Sequence, residues 1–422
     1  MARRMKDSGV EWIGEIPEGW RTINPKALFT QRKDKAQKSE RQLTSSQQYG
    51  ILYQDDYMEL TGSKVVTVEK DFDILKHVEA GDFVISMRSF QGGLEYSTKS
   101  GAISSAYVML VPNLELVYPR FYRWLLKSSV YIDALQRTTN MVRDGQAMRY
   151  YNFAQVRLFT LPLDEQKSRA DFLDLECSSI DKILFKTRSS IEEYKKLKQA
   201  VITQAVTKGV RGERAMKDSG VEWVGEIPKE WDILNLVAHT SMLTPMRDRP
   251  ENLDGPIPWI RIEDFDGKYI SSSKASLGVS KETVRSMNLK IYPVGTILCT
   301  SSCIMGKCAI VSRELVSNQR FIGIIPDQNT CENFLYYLML SNSERMNYLA
   351  TGALQANLSR SSFEHLKVQF PSYQEQKEIS DYLDTKCAEI DKLIAKKEQL
   401  VKELESYKKS LIYEVVTGKQ EV

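Results

Sequence analysis

Catalysis needs nucleophiles, general bases, metal ligands or phosphate cradles in convergent patterns, and this chain offers few. Its three histidines, His77, His239 and His365, lie far apart in sequence and read as surface or core residues. Cys299, Cys303, Cys308 and Cys331 gather loosely, with no CxxC pair and no nearby His, whereas a zinc site wants tight ligand pairs. With Cys177 and Cys387 they read as reduced, buried thiols. SSCIMGKC contains a Gly-Lys but lacks the upstream Gly and the Ser or Thr of a phosphate-binding loop. NPKALF, from Asn24, begins like an Asn-Pro-Pro-aromatic catalytic loop but lacks the second Pro. The acidic residues form no paired constellation. The chain is therefore expected to carry no catalytic set, no metal and no cofactor of its own.

Composition is that of a soluble globular protein: 42% hydrophobic, 27% charged, net charge +3. A length of 422 residues exceeds one ordinary core. No run is long and apolar enough for a membrane span, and MARRMKDSGVEW has no apolar stretch behind its basic start, so a cytoplasmic location is expected. Residues 21–160 carry 19 Lys and Arg against 14 Asp and Glu; residues 232–370 carry 14 against 13. That balance permits a nucleic-acid partner without demanding one.

The elements that would position any site are written twice. MKDSGVEWIGEIPEGW starts at Met5 and MKDSGVEWVGEIPKEW at Met216, identical at 13 of 16 positions. A longer likeness recurs from Glu165 (EQKSRADFLDLECSSIDKILFKTRSSIEEYKKLKQAVITQAVTKG) and from Glu375 (EQKEISDYLDTKCAEIDKLIAKKEQLVKELESYKKSLIYEVVTGK). The order is motif, variable block, charged segment, then all three again, so the chain is a duplicated two-part unit. The motif's Trp, Ile and Pro read as packing and chain entry into each block.

The charged segments read as helices. Leu173, Cys177, Ile180, Leu184, Thr187, Ile191, Tyr194, Lys198, Val201 and Ala205 step by four and three, as do Leu383, Cys387, Ile390, Ile394, Lys397, Val401, Leu404, Lys408, Leu411 and Val415. This is a heptad seam, imperfect at three lysines, near which Leu197 and Tyr407 are expected to take over as in a stutter. Pro162 and Pro371 precede the helices and Gly209 and Gly418 follow them. At about 1.5 Å per residue each spans roughly 65 Å. Matching seam phase favours pairing within the chain, and antiparallel pairing spares residues 210–374 the full helix length. Joining the C-terminus to the start would recreate the internal junction, so the sequence is close to a circular repeat with a pseudo-two-fold axis.

The blocks share a pattern and differ in surface. From Gly81 and from Gly295 each shows a β-rich run, a Gly-containing loop and another apolar run. A helical segment, a Gly-Gln loop (RDGQAMRYYNF; TGALQANLSRSSF) and an exit strand (VRLFTLP; LKVQFP) follow. The expected fold is α+β: two related globular heads, 1–162 and 212–372, joined by helices in 163–211 and 373–422 pairing as an antiparallel coiled coil.

The duplicated order, the SGVEWxGEIPxxW motifs and the helix starts LPLDEQK and FPSYQEQK resemble the specificity subunit of a Type I restriction-modification system, over essentially the whole chain. The resemblance implies two target-recognition domains that each read half of an asymmetric, gapped site in double-stranded DNA. It implies a non-catalytic subunit whose paired helices set the gap and dock two methyltransferase (modification) subunits, joined by motor-nuclease (restriction) subunits. S-adenosylmethionine, ATP and Mg²⁺ would serve those partners, making the assembly a DNA adenine methyltransferase and ATP-dependent endonuclease. The helix length would bound the gap at roughly 19 base pairs of about 3.4 Å.

The family motifs fix no base-reading positions. Candidates are polar and basic residues of the Gly-containing loops: Arg88, Gln91, Arg143, Gln146 and Arg149 in the first head, and Ser301, Lys307, Gln319, Arg320, Gln355 and Asn357 in the second. Arg suits guanine, and Gln or Asn suits adenine. The helix-pair seam is expected at Leu173, Ile180, Leu184, Ile191, Tyr194, Val201, Leu383, Ile390, Ile394, Val401, Leu404 and Leu411. The alternative is a two-headed coiled-coil scaffold that binds proteins, and the same architecture could serve a methyltransferase with no nuclease attached.

Overall fold

A computed structural model describes residues 3–68, 72–86, 92–138, 149–246, 248–302, 306–350 and 358–422. The chain divides into two compact units, 1–188 with 399–422, and 189–398. Each unit holds one head and a portion of both long helices, Leu163–Lys208 and Tyr373–Val416.

The repeated motif opens each unit as a small hairpin, Met5–Asp7 against Glu15–Pro17 and Met216–Asp218 against Glu226–Pro228. Its turn is fixed by the Asp side chain: Asp7 Oδ1 accepts from Gly9 N at 2.9 Å, and Asp218 Oδ1 from Gly220 N at 3.0 Å. The Asn-Pro of NPKALF is a helix cap, Asn24 Oδ1 accepting from Lys26 N at 3.0 Å.

The head sheets match strand for strand. In the first the order is Phe29–Arg32, Val108–Pro112, Phe83–Ile85, Glu95–Tyr96, all antiparallel. In the second it is Thr240–Leu243, Phe321–Pro326, Ile297–Thr300, Cys308–Val311, with Tyr269–Ile270 added in parallel. Central strands are apolar at successive positions because both faces are covered. Phe83 and Ile85 join the core shared with the helices, and Val84 joins a second cluster with Met109. Ile297 and Cys299 likewise face one core and Leu298 another. Cys177, Cys299, Cys308, Cys331 and Cys387 are all buried, Cys299 facing Cys308 across neighbouring strands; Cys303 lies outside the described residues.

Each head returns to its start through one strand pair, Leu158–Thr160 on Arg21–Ile23 and Lys367–Phe370 on Asp232–Asn235, which leads into a long helix. The helices pair antiparallel within each unit. Lys408 Nζ lies 2.6 Å from Asp181 Oδ1 and Arg188 bonds Glu405 in the first; Lys198 Nζ lies 2.6 Å from Asp391 Oδ2 in the second. Leu173, Ile180, Leu184, Ile191, Leu383, Ile390 and Leu411 are buried, whereas Tyr194, Val201, Ile394, Val401 and Leu404 are half-buried. The expected stutter is absent. Leu197 is 48% and Tyr407 56% exposed, while Lys198 and Lys408 keep the seam positions. Their long stems follow the apolar surface to a carboxylate on the facing helix, so no hydrophobic substitute is required.

Candidate nucleic-acid interface

Each head is locked to its helix by a clamp built from the two repeated motifs. Trp20 is 1% exposed, and its Nε1 donates to Glu165 Oε2 at 3.0 Å. Trp231, also 1% exposed, donates to Glu375 Oε2 at 3.0 Å. A guanidinium reaches each carboxylate from the segment before the motif. Arg3 Nη2 donates to Glu165 Oε2 at 3.0 Å and lies 5.5 Å from the Trp20 ring. Arg214 Nη1 is 2.6 Å from Glu375 Oε1 and its guanidinium 5.1 Å from the Trp231 ring. Burial works to raise the Glu165 pKa, but bonds from Arg3, Arg169 and Trp20 outweigh it and hold the carboxyl at about 2.

The next residue of the EQK motif ties the helix to the head's middle. Gln166 Oε1 accepts from Tyr118 N at 2.7 Å, and its Nε2 donates to Leu116 O and Leu161 O, both at 2.9 Å. Gln376 repeats the pattern with Cys331 N at 2.8 Å, Asn329 O at 3.1 Å and Pro371 O at 3.0 Å. A third tie is Asp174, which accepts from Arg120 Nε (2.9 Å), Arg123 Nη2 (2.7 Å) and Trp124 Nε1 (2.7 Å). Its counterpart Asp384 takes Lys268 and the Tyr337 hydroxyl. Each head is thus held rigidly to helix at three points, as a recognition surface requires.

In the second head, several candidate readers converge. Ser301 N donates to Arg320 O at 2.8 Å, Leu358 N to Ser301 O at 2.9 Å, and Thr300 N to Lys307 O at 2.9 Å. Ser301, Lys307 and Arg320 therefore stand at one end of the central strands, beside the point where the chain re-enters at Leu358. Lys307, Gln319 and Arg320 are exposed. In the first head Arg149 is exposed at the start of the helix Tyr150–Gln155, its N–H donating to Asn152 Oδ1 at 3.1 Å. Asn152 Nδ2 donates to Thr138 O at 3.0 Å, joining the two ends of the 139–148 segment. Arg88, Gln91, Arg143, Gln146, Gln355 and Asn357 lie outside the described residues.

Glycine sets the hairpin at this end in both heads. A Cβ on Gly93 would fall 2.4 Å from Leu126 O, and one on Gly306 would fall 2.3 Å from the Ser343 Cβ, with φ +78° and +80°. Only glycine lets these turns lie so closely on the head's helices. The surface offers donors and acceptors suited to base edges and phosphates. Among the described residues no group of three His, Cys, Asp or Glu could hold a metal, and no helix is long and apolar enough to cross a membrane. His77 sits between Glu40 and Glu79, and His239 against Asp327.

Sequence reasoning missed Arg3 and Arg214, although they are equivalent positions two residues before the quoted repeat; extending the alignment backwards would have found them.

Residues 232–403 match the family described as the Type I restriction modification DNA specificity domain. The MjaIX specificity subunit of Methanocaldococcus jannaschii, a Type I restriction enzyme component, is 33% identical over 168 residues, 38% of either chain. The putative MjaX specificity subunit of the same organism is 23% identical over 431 residues, covering 96% of this chain and 95% of that one. A chain solved in work on complex assembly and conformational transition of the Type I restriction-modification system shares the fold, with TM-score 0.73 at 12% identity over 96% of this chain and 99% of that one. Residues 232–403 thus match the DNA specificity domain of Type I restriction-modification systems, and the chain as a whole is similar in sequence to their specificity subunits and shares the fold of the solved chain.

Proposed function

We propose that this chain is the non-catalytic, DNA-reading subunit of a Type I restriction-modification assembly. Its heads, 1–162 and 212–372, would each read half of an asymmetric, gapped site in double-stranded DNA, with 163–211 and 373–422 as spacers. The observation that carries this reading is the match of residues 232–403 to a DNA specificity domain, within a chain that repeats the same clamp around two differently surfaced heads. Base edges carry the sequence code, while phosphate contacts only set position, so two short readings on one chain add up to one long one.

Candidate base readers remain those named above, with Ser301, Lys307, Gln319 and Arg320 supported by their common exposed end. The long helices offer apolar surface for methyltransferase subunits: Leu175 and Phe185 are 66% and 74% exposed. A groove of about 640 Å³ is lined by Phe185 together with Trp124 and Cys177 among others. Motor-nuclease subunits would join that complex, and S-adenosylmethionine, ATP and Mg²⁺ would be bound by those partners.

The test is to map methylated adenines in DNA from cells with and without this gene, with the methyltransferase partner expressed. Loss of one asymmetric, gapped motif is expected. An unchanged methylation map in those cells would overturn the reading.

A further inference from the structure

The tryptophan at the fourth position from the motif's Gly-Val-Glu differs in use between the heads. In the first head Trp12 is engaged internally: its Nε1 donates to Arg157 O at 3.0 Å and its ring meets Tyr131 edge-on at 5.6 Å. The preceding Glu11 bonds Arg137 at 2.8 Å. In the second head Trp223 is 41% exposed, and a guanidinium lies on it. Arg345 Cζ is 4.0 Å from the Trp223 ring centre and 5.0 Å from that of Tyr348, a residue 79% exposed.

This arginine is stacked but unpaired. Among the described residues no ion pair involves it, and its Nε is shielded from solvent without a hydrogen-bond partner. The neighbouring carboxylate Glu222, counterpart of Glu11, does not take it. Aromatic stacking suits the flat, weakly hydrated face of a guanidinium and leaves its in-plane N–H edge for an anion. The Nε of Arg214 and Arg261 is also buried without a partner, so what marks Arg345 is the combination: a guanidinium stacked beside two aromatics, with no carboxylate taking its N–H edge among the described residues.

Its position says which anion. Arg345 lies on the helix Ser343–Leu349, whose first residue is the one that Gly306 packs against. The seat is therefore anchored to the hairpin that carries Ser301 and Lys307. We infer that Arg345, held between Trp223 and Tyr348, binds a backbone phosphate of duplex DNA and seats the second head on it. This rests on the DNA-reading function proposed above. A phosphate contact positions the head without reading sequence, so Arg345 is a positioning residue.

The experiment measures duplex binding by the full chain, assembled with its methyltransferase subunits, against salt concentration. Both the cognate duplex and an unrelated one are used. Arg345→Gln should weaken both to the same degree, roughly tenfold, and flatten the log–log salt slope by about 0.9. Arg345→Lys should restore the slope but not the full affinity, since charge returns without the stack. An unchanged slope in Arg345→Gln overturns the inference, as does a loss confined to one sequence. Weakened subunit assembly at unchanged slope overturns it too, and would mark a protein carboxylate as the anion. If the unaltered complex shows no salt-dependent duplex binding, the DNA-reading function itself fails instead.

Discussion

Glu165 shows how one side chain can serve two surfaces. It accepts from a tryptophan of the opening motif and from two guanidiniums, while Arg169, 1% exposed, continues to Val415 O at 2.8 Å and Gln420 O at 2.9 Å. Glu165→Ala would strand the Trp20 N–H and leave the buried Arg169 charge without its carboxylate. The expected cost is about 2–4 kcal/mol, read by urea unfolding; a loss below about 1 kcal/mol would show that the clamp is dispensable. Because the folded carboxyl is held at about 2 against an ordinary 4.5, the unfolded chain binds more protons in between. Its contribution is complete above about pH 4.5 and is lost as pH falls toward 2. Stability of the first unit should drop through that window in the wild type and less steeply in Glu165→Gln. The Trp and the Glu were both legible as repeated residues, but the bond between them was not. They stand 145 positions apart, and each repeat by itself specifies only local structure.

At the scale of the element, the helices were the most legible part of the chain, since period, breakers and charge all agree. The seam lysines were misjudged because a sequence pattern shows where a side chain starts and not where its charged end reaches. Asp181–Lys408 and Asp391–Lys198 are the same pair in the two copies. A polar residue in a seam fixes register at some cost in stability, and a half-exposed pair contributes little net energy. Lys408→Leu should therefore leave thermal stability within about 1 kcal/mol of the wild type. Asp181→Lys combined with Asp391→Lys should lower it by opposing like charges, and exchanging the lysines for Asp as well should recover it. If the full exchange recovers nothing, the pairs do not set register. The heads were legible as a strand–loop–strand pattern with a helix behind. The partition of each strand between two cores was not, because apolar runs on doubly covered strands carry no alternation.

At the scale of the molecule, duplication and near-circular order were plain in the sequence, whereas the division at 188 and 398 follows from packing alone. One unit is a continuous stretch of chain. The other is completed by residues 399–422, with Leu411, Val415 and Val416 in the same core as Ile16, Trp20 and Leu173. Synthesis meets these units in an awkward order. At about 5–20 residues per second, residues 1–188 wait some ten to forty seconds for the segment that closes their core, while 189–398 emerge whole in the interval. Nascent chains stalled before Gln399 has emerged should resist protease across 189–398 and be cut within 1–188; equal resistance would contradict that order. The head made first is thus the last to be finished, and during that wait its apolar helix face is open to wrong partners, including the same face on a neighbouring nascent chain.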